Sequence, residues 1–284
     1  MPLVGASPVY RPPVAGEPLR LREDGHWSTD RLALCCYANQ GNGYTVPDLA
    51  RGHHHQHSTP NIMEWRVSTA GGRGRLGIYD NYNYNYNRRM RYDSPVCNFG
   101  DGSEGTIICW LHDTYINQIF WTFEGFYDFS FSRVNGFTFY FQKNNSTGYN
   151  RLVWAAAWQR ETSRMATATW RPNPGGDGYE VTGYTNGAQV VQRTDIPNPL
   201  YVGAPPRSWI GAYGMTIMQW MVYERYLPPV EVAALYADPD LPIWRPRRGI
   251  SLALVAVGGG AVPMIYRAAR RRSRTLIPGM VVLP

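Results

Sequence analysis

Short apolar and aromatic runs recur along this chain, each cut off by a cluster of Gly, Pro, Asn or Asp. Alternation with period two inside such runs is the mark of strands. The runs fall at 31–37, 62–69, 75–79, 106–111, 119–123, 126–131, 136–142, 152–159, 165–170, 179–184, 188–193, 209–213 and 218–226. Turns are predicted at NQGNG (39–43), DGSEG (101–105), KNNSTG (143–148), RETS (160–163) and RPNPGGDG (171–178). TNG at 185–187 joins its two flanking runs as a hairpin. About a dozen short strands with little room for crossover helices predict an antiparallel sandwich or barrel. One helix is predicted, over Pro229–Ala237. Val232, Leu235 and Tyr236 fall at helical spacing, Glu231 suits the first turn, and Pro228, Pro229 and Pro239 bracket the ends.

The two ends break this pattern. Pro2, Pro8, Pro12, Pro13 and Pro18 fix φ and remove amide donors, so residues 1–24 read as an extended N-terminal arm. Residues 245–284 run RPRR, a small apolar stretch, RAARRRSR and LIPGMVVLP. They read as a second arm, apolar enough to need a partner surface. The expected organisation is arm 1–24, sandwich 25–244 and arm 245–284.

Composition sharpens this. Aromatics are 14% and charged residues 17%, with 29 Gly and 22 Pro, which excludes a coiled coil and argues against disorder. The net charge is +7, but Arg245, Arg247, Arg248, Arg267, Arg270, Arg271, Arg272 and Arg274 all sit in the last segment with no acid among them. The rest of the chain holds 20 basic and 21 acidic residues, so the basic character belongs to the C-terminal arm. Lys143 is the sole lysine, a coding bias toward Arg. Cys35 and Cys36 are adjacent and point to opposite faces of a strand, and Cys97 and Cys109 stand apart; four reduced, packed thiols are expected. The start has no signal-peptide pattern, and the uncharged stretch Ile250–Tyr266 is shorter than the roughly 20 residues of a spanning helix and is broken by Gly258, Gly259, Gly260 and Pro263. No membrane partner is expected.

Two blocks carry a resemblance. In RLALCCYANQGNGYTVPDLARGHHHQH, the residues Leu32, Leu34, Tyr37, Asn39, Gly41, Thr45, Val46, Asp48, Leu49 and Gly52 resemble the opening of concanavalin A-like, laminin-G-type jelly rolls. At 209–244, Ile210, Gly211, Tyr223, Arg225, Leu227, Glu231, Val232, Leu235, Tyr236, Asp238 and Pro239 resemble their closing block, with Pro228 where Ser or a similar cap is usual. TNGAQV at 185–190 looks like the family's Asn-Gly hairpin. The resemblance spans 25–244 and implies an all-β, antiparallel jelly-roll sandwich with one short C-terminal helix between extended arms. LYADP-type endings are common in tailed-phage virion proteins, so it further implies a structural protein of a phage particle, assembled in the bacterial cytoplasm.

His53, His55 and His57 in HHHQH would share one face of a strand, yet nothing in the sequence supplies converging ligands. Tyr82, Tyr84 and Tyr86 in NYNYNYN would also share a face, suited either to cross-strand packing or to contact with a ligand or subunit. The retaining jelly-roll enzymes' Glu-x-Asp-x-Glu triplet does not occur, and Glu124 and Asp128 would stand about 13 Å apart on a regular strand. GxSxG is also missing, so no enzyme is expected. The resemblance allows a calcium ion, with Asp48, Asp93, Asp101 and Asp113 as candidates, but spacing does not gather them and no ligand is assigned. The sequon Asn145-Ser146-Thr147 matters only for a secreted eukaryotic chain.

The expected function is a non-enzymatic virion protein, most simply a capsid decoration or cement protein held by its arms. Its arginines would pair with acidic patches on capsid or tail subunits, in a homo-oligomer, with nucleic acid disfavoured as partner. The alternatives are a tail or fibre component, or a carbohydrate-binding adhesion module.

Overall fold

A computed structural model describes residues 19–38, 45–52, 54–57, 63–68, 75–80, 90–93, 103–113, 118–123, 126–133, 137–140, 151–154, 162–196, 207–210 and 215–243. Tyr82, Tyr84, Tyr86 and the eight C-terminal arginines lie outside them. The chain divides after Trp244 into two units, and the described residues all belong to the first.

Two sheets form that unit. In the first, the order is β14 (Ala188–Ile196), β13 (Tyr179–Thr185), β12 (Thr162–Pro172), β7 (Gly105–Asp113), β16 (Met215–Tyr223), β5 (Arg75–Asp80) and β4 (Met63–Ser68), with β1 (Leu32–Tyr37) also pairing with β16. In the second it is β11 (Arg151–Trp154), β10 (Phe137–Tyr140), β9 (Phe126–Arg133), β8 (Gln118–Phe123), β15 (Ser208–Ile210), β6 (Met90–Tyr92), β3 (His54–His57) and β2 (Thr45–Pro47). The pairings among these residues are antiparallel.

Strand periodicity divides each sheet into an inner and an outer face. Leu34, Cys36, Ile107, Cys109, Ala168, Trp170, Val181 and Trp220 of the first sheet meet Val46, Met90, Tyr92, Leu152 and Ile210 of the second, forming the core between the layers. The alternate residues Cys35, Tyr37, Ile108, Trp110, Met165, Tyr184, Met221 and Tyr223 form a second cluster on the outside of the first sheet. Cys35 and Cys36 thus enter different cores, as their adjacency requires. A bulge in β16 adjusts this alternation. Met218 is the extra residue between Ile217 and Gln219 in the pairing with β7. Ile217 and Trp220 therefore both reach the inner core, while Met218 and Gln219 both serve the outer side.

The outer cluster is covered by helix α1 (Pro229–Ala237), on the predicted span. Val232 and Leu235 are its buried residues, and Tyr236 stacks on Trp110 with ring centroids 5.6 Å apart. Pro228 at the N-cap makes no side-chain capping bond, but Pro229 at the first helical position has no amide to satisfy, and Glu231 is paired to Arg225 at 2.7 Å. Residues 19–24, assigned to the arm by the prolines upstream, are docked on the sandwich. Leu21 bridges to Ile243, the Arg22 amide donates to the Pro242 carbonyl at 2.9 Å, and Leu19 and Leu21 pack on the outer cluster.

Three predicted details are corrected. The run 218–226 ends as a strand at Tyr223, because the next residues turn across the sheet end: the Thr106 hydroxyl donates to the Arg225 carbonyl and accepts from the Leu227 amide. Thr162 and Ser163 of the RETS turn already belong to β12, opposite Asp113 and His112. The short strands β2, β3 and β6 lack an apolar run and fall outside the predicted apolar runs.

The Asn-Gly hairpin is where local conformation matters most. Asn186 and Gly187 both have positive φ, 53° and 79°, as a tight hairpin turn requires. The Asn186 side chain accepts from the Met165 amide at 2.9 Å, and a Cβ on Gly187 would stand 2.8 Å from the Tyr236 Cβ. Gly187→Ala is expected to lower the denaturant midpoint by the equivalent of about 1–3 kcal/mol. Gly176→Ala, whose Cβ would meet nothing nearer than 3.6 Å at an ordinary φ, should change it little.

Burial pushes the thiols of Cys35, Cys36 and Cys109 and the phenol of Tyr223 up from their ordinary values. These groups stay neutral when folded but ionise when unfolded, so their contribution is complete below the ordinary thiol pKa of about 8.5 and is lost as pH rises above it. Stability should fall from pH 8.5 upward by about 1.4 kcal/mol per pH unit for each titrating thiol. Unfolding midpoints between pH 7 and 10 measure this. Iodoacetamide should spare these three cysteines until the chain is unfolded.

Candidate functional site

Asp48 was a calcium candidate; its surroundings give it another task. The residue is 2% exposed and follows β2. Its Oδ1 accepts from the amides of Cys35 and Ala50, both at 2.9 Å. Its Oδ2 accepts from the Arg51 amide at 3.2 Å and the Tyr92 hydroxyl at 2.9 Å. Burial, and then the Asp48 carboxylate, hold the Tyr92 phenol well above its ordinary range. Four protein donors occupy the oxygens a calcium ion would need, so the residue does not fit that role. Instead it ties β1 of the first sheet to β6 of the second.

A second anchor explains the closing block. Arg225 Nη2 donates to the Trp27 carbonyl at 2.7 Å and its Nε to the Asp30 carbonyl at 3.1 Å, while Nη1 meets Glu231. The Tyr223 hydroxyl donates to the Ser28 carbonyl at 2.9 Å. The Tyr37 hydroxyl and the Gln219 amide both donate to the Pro239 carbonyl, at 2.9 and 2.8 Å. The Tyr-x-Arg-x-Leu and Asp-Pro positions are therefore fasteners of the helical cover.

The functional candidate lies on the outer face of the second sheet, at its centre. Met90 and Tyr92 of β6 point into the core, so Arg91 and the following Asp93 point out. On the neighbouring β15, Ser208 and Ile210 are buried, and Trp209, opposite Arg91, is half-buried on the outer side. Arg91 grips the Asp93 Oδ2 through Nε at 2.9 Å and Nη2 at 2.7 Å. Arg207 Nε meets Oδ1 at 3.0 Å. The side chains of Arg91, Asp93 and Arg207 are 45%, 48% and 45% exposed. The register continues the row, with Gln56 of β3 opposite Arg91 and Thr122 of β8 opposite Trp209. The result is an aromatic face beside guanidinium donors and a carboxylate acceptor, all reachable from solvent. Such a surface can stack on a ring and hydrogen-bond its substituents; it presents no nucleophile.

Of the residues singled out from sequence, Asp93 enters this group, engaged by two arginines and so unsuited to a cation. His55 and His57 stand in β3, opposite Val46 and Met90 in the strand register. No group of three metal-ligating residues occurs among the described residues. Asp113 ends β7, Asp128 lies within β9, and His53, Asp101 and Glu124 lie outside the described residues. Sequence reasoning missed Arg91, Arg207 and Trp209. The alternation Arg-Tyr-Asp at 91–93 is a strand signal, but only the pairing of β6 with β15 shows that Trp209 lies beside it. The described residues also include a Ser–His contact, His112 Nδ1 to Ser163 Oγ at 3.1 Å, produced by the β7–β12 register on the other sheet.

The binding domain of paraclostridial mosquitocidal protein 1 is similar in structure, with a TM-score of 0.54 and 15% identity over 73% of this chain and 52% of that one. The botulinum neurotoxin serotype G binding domain gives 0.53 and 14%, over 74% and 51%. The chain is an all-β sandwich of the jelly-roll class. Trypanosoma rangeli sialidase gives 0.51 and 11%, over 74% of this chain and 33% of that one. The chain thus spans about half the length of the toxin domains and a third of the sialidase. At these identities the likeness is one of fold alone. No family model matches the chain, and comparison with curated proteins gives no match. These neighbours lend the phage-particle expectation no support. No helix among the described residues is long and apolar enough to cross a membrane.

Removing the Asp48 acceptor should be far costlier than removing one of its donors. Tyr92→Phe is expected to destabilise the fold by about 1 kcal/mol, and Asp48→Ala, which strands three amides and a hydroxyl, by about 3 kcal/mol or more, read from denaturant unfolding.

Proposed function

We propose that this domain is a non-catalytic binding module, that its ligand face is the outer surface of the second sheet around Trp209, and that it recognises a carbohydrate-bearing receptor. The observation that carries this is a partly exposed Trp on a central strand, paired in register with Arg91 and two residues from Arg207, the two arginines that share Asp93. A large aromatic held on a rigid strand offers contact area with little entropy to lose, and the charged neighbours supply directional donors and an acceptor. Two of the similar structures are themselves binding domains of toxins, which supports the reading at the level of fold.

The full chain should bind a subset of saccharides on a glycan array. Trp209→Ala should weaken that binding about tenfold, and Trp209→Phe should restore part of it, with unchanged circular dichroism. A parallel variant with Tyr82, Tyr84 and Tyr86 replaced by Ala separates this face from the tyrosine ladder. An array-positive chain indifferent to Trp209, or a chain that binds no saccharide, would sink the proposal.

A further inference from the structure

Beneath Tyr226, the outer face of the first sheet carries hydroxyl groups that the chain itself leaves unanswered. β12 and β13 meet there in three successive rungs: Arg171 opposite Glu180, Thr169 opposite Thr182, and Thr167 opposite Tyr184. Tyr184 belongs to the outer cluster, and the period of two puts the other five on the same side. The first rung is closed on itself. Arg171 donates to the Glu180 carboxylate through Nε and Nη2, both at 3.1 Å, and its guanidinium lies 4.3 Å from the centre of the Tyr226 ring. The other two rungs are not closed. Thr167, Thr169, Thr182 and Tyr184 are at most 1% exposed, and the hydroxyl of each is buried with no hydrogen-bond partner. The Tyr184 hydroxyl stands near those of Thr169 and Tyr226 without completing a bond to either, and burial, followed by Tyr226, pushes this phenol up. Buried hydroxyls are nearly always paired, because losing water without gaining a partner is destabilising. Valine and phenylalanine would fill the same positions without that penalty.

Tyr226 is placed to control access to these groups. It reaches the first rung at Arg171 and the third at Tyr184, so it spans the second, Thr169 and Thr182. It is partly exposed and lies in the irregular segment between β16 and α1. Rotation of its side chain uncovers the sheet without moving a strand or the helix. We infer that Tyr226 gates a second binding site, a slot on the outer face of the first sheet in which Thr167, Thr169, Thr182 and Tyr184 hold a neutral polyhydroxylated ligand, a pyranose or a polyol. Each of the four hydroxyls both donates and accepts, as the hydroxyls of a sugar do. The Arg171–Glu180 pair at the end of the slot balances its own charge and calls for no ion. The slot lies on the first sheet and Trp209 on the second, so it stands apart from the proposed ligand face.

The test is saturation-transfer NMR of the full chain with the methyl glycosides of galactose, glucose and mannose, with inositol, and with glucuronate and glucosamine as charged counterparts. At least one neutral compound should bind, and better than the charged ones. Tyr226→Ala, which removes the gate, should tighten that binding by about fivefold, since less of the protein is held closed. Thr169→Val with Thr182→Val should weaken it by about tenfold or more and raise the denaturant midpoint, because two stranded hydroxyls are gone. This pair carries the test alone if Tyr226→Ala does not fold. Trp209→Ala should leave the binding unchanged. Several results overturn the inference: no neutral compound binding to either the parent chain or Tyr226→Ala, binding that the two valines leave intact, a preference for a charged sugar, or a midpoint that the valines lower. Neutral binding lost in Trp209→Ala and kept with the valines also overturns it, while leaving the binding-module reading in place.

Discussion

A buried carboxylate tolerates its position only when donors surround it, and in this fold one such group joins the two layers. Asp48 collects an amide from β1, two amides from its own turn and a phenol from β6. An unpaired carboxylate at that depth would cost several kcal/mol, and β1, its own turn and β6 each supply donors that offset this cost. The consequence reaches the surface. Tyr92 must face inward to meet Asp48, and on a pleated strand that choice sends Arg91 and Asp93 outward. The placement of the proposed ligand face is therefore set from inside the core.

The other side of the first sheet follows a different logic. A sheet between two apolar clusters needs a lid on the second, and one short helix is too small to stay in place by area alone. Here the lid is fastened by polar groups at its edges. Arg225 ties the chain before α1 to carbonyls near Trp27, and Tyr37 and Gln219 hold the turn after it at Pro239. The bulge at Met218 brings Gln219 to the outer face while keeping Trp220 in the core.

Much of this was legible in the residues. The helix over Pro229–Ala237 and the Asn186-Gly187 hairpin carry strong local signals: proline at the first helical position, and two consecutive residues able to adopt positive φ. Strands such as β7, with Ile107, Ile108, Cys109, Trp110 and Leu111, declare themselves because both faces are buried. β6 does not. It is three residues long, alternates Met, Arg and Tyr, and is recognisable only from its partners β15 and β3. The candidate site shares this opacity. Arg91 and Trp209 are more than a hundred residues apart, and pairing order, a non-local property, brings them side by side. Asp48 and Asp93 looked alike as candidate cation ligands, because side-chain type does not tell whether the neighbouring donors are amides, a phenol or guanidiniums.

β6 has one more property. Its outward residues belong to the proposed ligand face, and its inward tyrosine is fastened to the knot that joins the layers. A pull on the outside would be shared by the pairings of β6 with β15 and β3 and, through Tyr92, by β1 and the turn after β2. A module that clings under load would gain from such an arrangement: the tether runs into the interior between the layers, not to an edge strand.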